Sequence, residues 1–125
     1  MTYSVWHRRL DGNYRMIDID SVEVCHKCYT PIVLLELAVY KGQWFKQYYV
    51  LRNLARMAKV PAYIVLYEKA CEDDSQGAIS NFYVRQVHPK LSQKYFKIQS
   101  GDYAQWLAKL HKKCKHCGYN SKKTS

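Results

Sequence analysis

The sequence predicts a single α/β domain in which a central mixed β-sheet is flanked by helices. The chain has 125 residues, 48% of them apolar, with only five Gly and three Pro, a composition that suits one core rather than two domains. Segments with the two-residue period of strands are interleaved with segments of helical period. No internal repeat or linker divides them. We therefore expect one domain over residues 1–117, followed by a basic, disordered tail over 118–125.

The domain is predicted to begin with a β-hairpin. Residues 14–25, YRMIDIDSVEVC, alternate polar and apolar side chains, as a strand with one buried face does. Residues 31–41, PIVLLELAVYK, are apolar on both faces, which is typical of a central strand. The segment CHKC between them is the predicted hairpin turn.

A basic amphipathic crossover helix is predicted over residues 46–59. Its buried stripe is expected to consist of Val50, Leu54, Met57 and Ala58. Its opposite, cationic stripe consists of Arg52, Arg56 and Lys59. The helix ends at the Val60-Pro61 step, because proline cannot donate the next helical hydrogen bond.

Further strands and a last helix complete the prediction. Residues 61–69, PAYIVLYEK, and 81–89, NFYVRQVHP, are rich in β-branched and aromatic side chains and are interpreted as strands joined by a turn at CEDDSQG. After a polar connection, Ser100 is the predicted N-cap of a helix over 102–113. The apolar face of this helix consists of Tyr103, Leu107 and Leu110.

The charge balance indicates a polyanionic partner. Twenty Lys and Arg against ten Asp and Glu give a net charge of +10, and 12 Tyr and three Trp offer surfaces on which bases stack. DNA is therefore the expected partner, and the cations predicted to contact it are Arg52, Arg56, Lys59, Lys112, Lys113 and Lys115. A further cluster, His7-Arg8-Arg9, spreads the charge, which suits a branched substrate or a homodimer.

The chain is expected to be soluble and cytoplasmic, with no membrane partner. Its longest apolar run, residues 31–40, contains Glu36 and falls short of the roughly 20 residues that a membrane helix needs. The N-terminal sequence MTYSVWHRRLDG lacks the apolar stretch of a secretory signal.

Four of the five cysteines form two Cys-x-x-Cys pairs, a spacing typical of a metal site. Cys25 and Cys28 form one pair, and Cys114 and Cys117 form the other. Two thiolates on one tight turn can take two corners of a tetrahedron around Zn²⁺, so two such turns would complete a closed structural zinc knuckle. Because 85 residues separate Cys28 from Cys114, the fold must bring the hairpin and the C-terminal segment together.

Other interpretations of the cysteines are weaker. Two disulfides are disfavoured without a secretory signal, and a redox Cys-x-x-Cys needs only one pair. His26, His111 and His116 lie close enough in sequence to replace a cysteine that does not reach the ion. Cys71 stands alone and is expected to be an ordinary small residue.

A second candidate site is acidic. Glu36 lies in the middle of the apolar run IVLLELAVY, where a carboxylate would be desolvated and needs a partner. The preceding strand carries Asp18 and Asp20 on one face, so neighbouring strands can present two or three carboxylates at one point. Carboxylate oxygens are the ligands that Mg²⁺ prefers, and an ion so held keeps water ligands available for phosphodiester hydrolysis. Glu23 has the opposite strand parity and is expected to be solvated.

Over residues 18–67 the order of elements, together with Asp20 and Glu36 on adjacent strands, resembles the PD-(D/E)XK nuclease superfamily. The resemblance implies that Asp20, or Asp18, and Glu36 bind Mg²⁺ or Mn²⁺. It also implies a catalytic lysine two residues after the glutamate, but that position is Ala38. Lys46, at the start of the predicted crossover helix, is the preferred replacement, and Lys41 is the alternative on the strand.

Three functions follow as expectations from the sequence. The first is a metal-dependent DNA endonuclease acting on branched or junction DNA. The second is a catalytically inactive, zinc-containing nucleic-acid-binding module, in which Ala38 at the lysine position indicates that catalysis has been lost. The third is a protein-binding adaptor whose basic charge complements an acidic partner.

Overall fold

A computed structural model of the chain describes residues 3–10, 20–43, 47–70, 78–112 and 114. Within these ranges three helices and five strands follow one another along a single α/β domain. They are α1 Tyr3–His7, β1 Ser21–Val24, β2 Pro31–Val39, α2 Tyr49–Ala58, β3 Ala62–Lys69, β4 Ile79–His88, β5 Phe96–Gln99 and α3 Ser100–His111.

The five strands form one mixed sheet in the order β1-β2-β3-β4-β5. β2 and β3 run parallel, with Leu34 opposite Ala62 and Val39 opposite Tyr67, and α2 is the crossover between them. The other neighbouring pairs are antiparallel. The predicted hairpin, crossover helix and following strands are therefore confirmed.

A helix covers each face of the sheet. On one face, α3 packs through Leu110 on a core that includes Val33, Leu35, Val65 and Val84. On the other face, α2 packs on Leu34, Ala62, Ile64, Leu66 and Val87. From Val33 to Leu35, successive residues of β2 alternate between the two cores, which explains why this strand is apolar on both faces.

The predicted buried stripe of the crossover helix is wrong. α2 buries Leu51 and Ala55, whereas Val50 is 38%, Leu54 39% and Met57 80% exposed, and Ala58 is exposed as well. Both stripes have helical spacing, so the period alone could not choose between them. Ala55 is fully buried, and its small side chain lets the helix approach the sheet closely on this side.

Several other boundaries differ from the prediction. The polar connection after β4 contains β5, a four-residue edge strand that is too short to show a clear alternation. Ser100 is the first helical residue of α3 rather than its cap; Gln99 occupies the N-cap position and makes no side-chain capping bond. The short helix α1 was not predicted. No helix in the described ranges has the length and apolar character needed to cross a bilayer.

Candidate metal centre and acidic pair

The β1–β2 turn holds the first two cysteines close together. Cys25 follows β1 directly, and its backbone N–H donates to the carbonyl of Thr30 at 2.9 Å. The N–H of Tyr29 returns to the carbonyl of Cys25 at 2.8 Å, with Tyr29 in the left-handed region at a φ of 61°. This closed turn is the geometry that the spacing of Cys25 and Cys28 predicted.

Packing of α3 on the sheet brings the third cysteine to this turn. Phe82 and Tyr103 stack with ring centroids 3.7 Å apart, and Tyr63 meets Trp106 edge to face at 4.9 Å. These contacts fix α3 against β3 and β4, so that Cys114, a few residues beyond the helix, lies buried in the same core as Cys25.

The three thiol sulfurs form a compact cluster. The Sγ atoms of Cys25, Cys28 and Cys114 all lie within 4.8 Å of one another, and those of Cys28 and Cys114 are 3.7 Å apart. Zn–S bonds of about 2.3 Å in a tetrahedron place sulfurs about 3.8 Å apart, whereas a disulfide needs about 2 Å. This group could therefore hold a metal ion such as zinc. Cys117, the predicted fourth ligand, lies outside the described residues, as do Cys71 and His116.

Thr30 lowers the pKa of the Cys28 thiol. The Thr30 Oγ1 atom lies 3.1 Å from the Cys28 Sγ atom. Its side-chain hydrogen bond, followed by the backbone bond from Thr30, lowers the pKa of the Cys28 thiol from 9.0 to about 6, against a smaller opposing effect of burial. Hydrogen bonds from Cys25 and Cys114 lower that pKa further. Because thiolates rather than thiols bind metals, Thr30 prepares Cys28 for coordination.

A hydrogen bond from α3 to β1 lies beside the metal centre. The His111 Nε2 atom lies 2.8 Å from the Glu23 Oε1 atom, and both side chains are about one-third exposed. The expectation that Glu23 is solvated is therefore wrong, because the end of α3 packs against β1. Burial, with a contribution from the nearby Glu23 carboxylate, also raises the pKa of Tyr103 to about 12.

This contact also bears on the histidines considered as replacement ligands. The Nε2 atom of His111 is occupied by Glu23, and His26 is exposed on the turn. Among the described residues, the ligand group consists of the three cysteines without a histidine. Sequence analysis missed Thr30 and the Glu23–His111 pair, because each acts across a turn or between elements and no fixed spacing marks it.

The acidic residues meet at the opposite end of the β1–β2 hairpin. β1 begins at Ser21, which pairs with Leu35, and Asp20 comes directly before it, so a continued register would set Asp20 opposite Glu36. Asp20 is exposed, and its Oδ2 atom accepts the backbone N–H of Leu37 at 2.9 Å. Glu36 is 9% exposed and shares the α2-side face of β2 with Leu34 and Ala38. The predicted burial of Glu36 is therefore confirmed.

The nuclease resemblance requires a lysine near Glu36, and two of the positions considered for it lie in the described residues. Ala38 is half-buried two residues after Glu36, and Lys41 is exposed in the turn beyond β2. The backbone N–H of Lys41 donates to Gln43 Oε1 at 2.6 Å. Lys46 and Asp18 lie outside the described residues.

Comparison with known proteins adds no relative. No family model, curated protein or solved structure matches this chain. The resemblance to PD-(D/E)XK nucleases therefore stays a prediction from the sequence.

The predicted DNA-contacting cations are partly within the described ranges. Arg56 and Lys59 are exposed at the end of α2, and Arg52 is half-buried one turn before Arg56. The Arg56 Nη2 atom donates to Asn53 Oδ1 at 2.6 Å. Lys112 is exposed after α3, whereas Lys113 and Lys115 lie outside the described residues.

Proposed function

We propose that the protein is a Mg²⁺-dependent DNA endonuclease whose hairpin is braced by a structural zinc ion. The observation that carries this proposal is that Asp20, directly before β1, accepts the backbone N–H of Leu37, the residue after Glu36. The Asp20 carboxylate is exposed to solvent, whereas the Glu36 carboxylate is almost fully buried.

Asp20 and Glu36 would each supply one carboxylate ligand to the Mg²⁺ ion. The bond from the Leu37 N–H holds the Asp20 carboxylate against the backbone of β2, next to Glu36 in the chain. Glu36 supplies a second carboxylate from a less polar environment, where a divalent ion offsets its negative charge. Bound Mg²⁺ would supply a water of lowered pKa and would neutralise charge on the scissile phosphate.

The proposed catalytic site also needs a lysine. Position 38 holds Ala, so the cation that orients the attacking water must come from another element. Lys46 is our assignment, because it precedes α2 closely in sequence, and Lys41 is the alternative. Loss of such a group typically slows chemistry by about 10²–10⁴.

The zinc ion has a structural role in this proposal. Cys25, Cys28 and Cys114 supply three thiolates, and Cys117 would close the tetrahedron. A closed shell of this kind leaves no position for substrate. It would tie the β1–β2 turn to the end of α3 and thereby hold the hairpin that carries Asp20 and Glu36.

DNA is the proposed substrate because of the charge and its distribution. The net charge of +10, the exposed cations at the end of α2 and the exposed Lys112 after α3 attract a phosphate backbone. Since these cations lie on separate elements, we propose a preference for branched DNA, with a homodimer as one means of presenting two active sites.

A cleavage panel tests the proposal. Supercoiled plasmid, linear duplex and a four-way junction are incubated with the purified protein, with Mg²⁺, with Mn²⁺ and without either ion. We expect nicking that requires one of these ions and is faster on the junction. Absence of cleavage under every condition, by protein that contains its zinc, would contradict the proposal.

Ala38 favours a second candidate function, a nucleic-acid-binding module without catalysis. This alternative predicts DNA binding without cleavage. Its affinity should fall with salt by a slope of about −0.9 per phosphate contacted on duplex DNA. A protein-binding adaptor would show neither cleavage nor that salt slope.

A further inference from the structure

A groove of about 560 Å³ lies at the end of the sheet where strands β2 and β3 begin. Its lining includes Lys59 from the end of α2 and Cys114 from the metal centre. The apolar part of its lining includes Pro31, Ile32 and Pro61. A cavity of this size is within the range that binds small organic molecules.

Apart from the Cys114 thiol of the metal centre, the permanently charged side chains that line this groove are cations. Arg56 and Lys59 come from the end of α2, and His88 comes from the end of β4. No carboxylate is found among the described residues that line the groove. Tyr63 and Gln86, which are paired across β3 and β4, add a phenol and an amide to the same lining. An apolar lining with two permanent cations at its border favours an anion that carries an apolar body.

Lys59 occupies a position that usually favours glycine. It is the C-cap of α2, with a φ of 61° and a ψ of 41° in the left-handed region. A side chain there is strained, and glycine would relieve the strain. The chain nevertheless has a lysine at this point, where its side chain borders the groove.

We propose that this groove binds a nucleotide of a nucleic-acid strand, with the base on the apolar lining and the phosphate on Arg56 and Lys59. The guanidinium group of Arg56 suits two phosphate oxygens at once, and Lys59 adds a point charge. The aromatic ring of Tyr63 and the amide of Gln86 supply the contacts that a base needs.

The inference deepens the proposed function and rests on it for the choice of a nucleic acid as the ligand. The groove meets β2 at Pro31 and Ile32, whereas Glu36 lies four to five residues further along the same strand. At about 3.3 Å per residue, that separation is roughly 13–17 Å. A strand of several nucleotides can therefore reach the groove and the acidic pair together.

A simpler account of the two cations is that they offset the helix dipole at the end of α2. That account explains charge at Arg56, but it gives no reason for a side chain in the left-handed position of residue 59. The two accounts differ in what happens when Lys59 is replaced by glycine.

The test uses the full chain with Glu36→Gln and without added Mg²⁺, so that cleavage cannot interfere with binding. Fluorescence anisotropy of a labelled ten-nucleotide single strand measures affinity, and thermal unfolding measures stability. Lys59→Gly should raise the melting temperature and weaken binding by about tenfold. It should also reduce the salt slope by about 0.7, the value for one phosphate contact on a single strand. Arg56→Ala should weaken binding similarly.

Lys97→Ala is the matched control, because it removes the same charge from the exposed edge strand β5, outside the groove. It should change affinity by less than about twofold. If Lys59→Gly and Arg56→Ala bind as Lys97→Ala does, the groove assignment is wrong. Thymidine monophosphate should displace the strand at lower concentration than inorganic phosphate. Equal displacement by the two would contradict a site that holds a base.

The outcome separates this inference from the proposed function. Mg²⁺-dependent cleavage by the unmodified chain, combined with groove variants that bind normally, would remove the groove and leave the nuclease. Weakened binding by the groove variants, combined with cleavage that survives loss of the acidic pair, would support the groove and remove the assigned active site.

Discussion

Cys28 and Cys114 are 86 positions apart in the chain, yet their Sγ atoms lie 3.7 Å apart. This distance is close to the edge of a ZnS₄ tetrahedron and well beyond a disulfide bond. The cluster therefore joins the first hairpin to the end of the last helix, and it accounts for a Cys-x-x-Cys doublet divided by most of the domain.

The first prediction concerns metal content. Protein purified without chelator should contain one equivalent of zinc per chain, and Cys114→Ser should lose most of it, because one ligand and the link to α3 are removed. Elemental analysis measures the content. Cys71→Ser, which alters the cysteine outside the two pairs, is the control and should keep its zinc. Protein free of zinc from the start would contradict the metal centre.

The second prediction concerns the pH dependence of the metal-free protein. Because the pKa of Cys28 is about 6 in the fold and 9.0 in the unfolded reference, the unfolded chain binds more protons between these values. Stability should therefore rise with pH from about 6 to 9, and this contribution should be lost as pH falls through about 6.

Thr30→Val is the variant that checks this cause, since it removes the hydroxyl beside Cys28 and keeps the shape of the side chain. Alkylation rates and urea unfolding across the pH range should show a higher thiol pKa and a flatter stability curve for this variant. Identical curves for the variant and the unmodified chain would exclude the Thr30 hydroxyl as the cause.

The third prediction concerns the Glu23–His111 hydrogen bond. Glu23→Gln should destabilise the protein, because it weakens the hydrogen bond to His111. The loss should be only about 1 kcal/mol, because the contact is partly exposed and screened by water. A double-mutant cycle with His111→Ala isolates the coupling between the two side chains. Additive losses in that cycle would show that the two side chains do not stabilise the docking of α3 together.

The fourth prediction distinguishes the two apolar stripes of α2. Leu51→Ala should cost about 2–5 kcal/mol, because Leu51 is 3% exposed and its removal leaves a cavity. Leu54→Ala, a matched change on the exposed stripe, should cost no more than about 1 kcal/mol. Denaturant unfolding measures both. The reverse order would show that α2 packs through the stripe that the sequence predicted.

The hairpin and the crossover helix were predictable, because their signals are local. Long apolar runs such as residues 31–39 and 62–69 leave few alternatives to central strands, and a helix between them requires a parallel crossover. The approach of Asp20 to β2 beside Glu36 was also accessible, because it needs only the period of a strand and the position of the turn.

Features that depend on packing between elements were not predictable from the sequence. α2 has two stripes of helical spacing, and only contact with the sheet selects Leu51 and Ala55 over Leu54 and Met57. Glu23 was expected to be solvated, because its position in the strand alternation gives no information about the contact with His111 at the end of α3. The groove at Lys59 likewise exists only after α2, β4 and the end of α3 have come together.

The most direct test of the proposed nuclease is single-turnover cleavage of a four-way junction by Glu36→Gln in the presence of Mg²⁺. This variant keeps the size of the side chain and removes one proposed metal ligand, so we expect the rate to fall by at least about 10²-fold with little change in DNA binding. Asp102→Asn removes an equal charge from the exposed first turn of α3 and should cleave at the unmodified rate. Cleavage by Glu36→Gln at the rate of Asp102→Asn would contradict the assignment of Asp20 and Glu36 as the catalytic metal site.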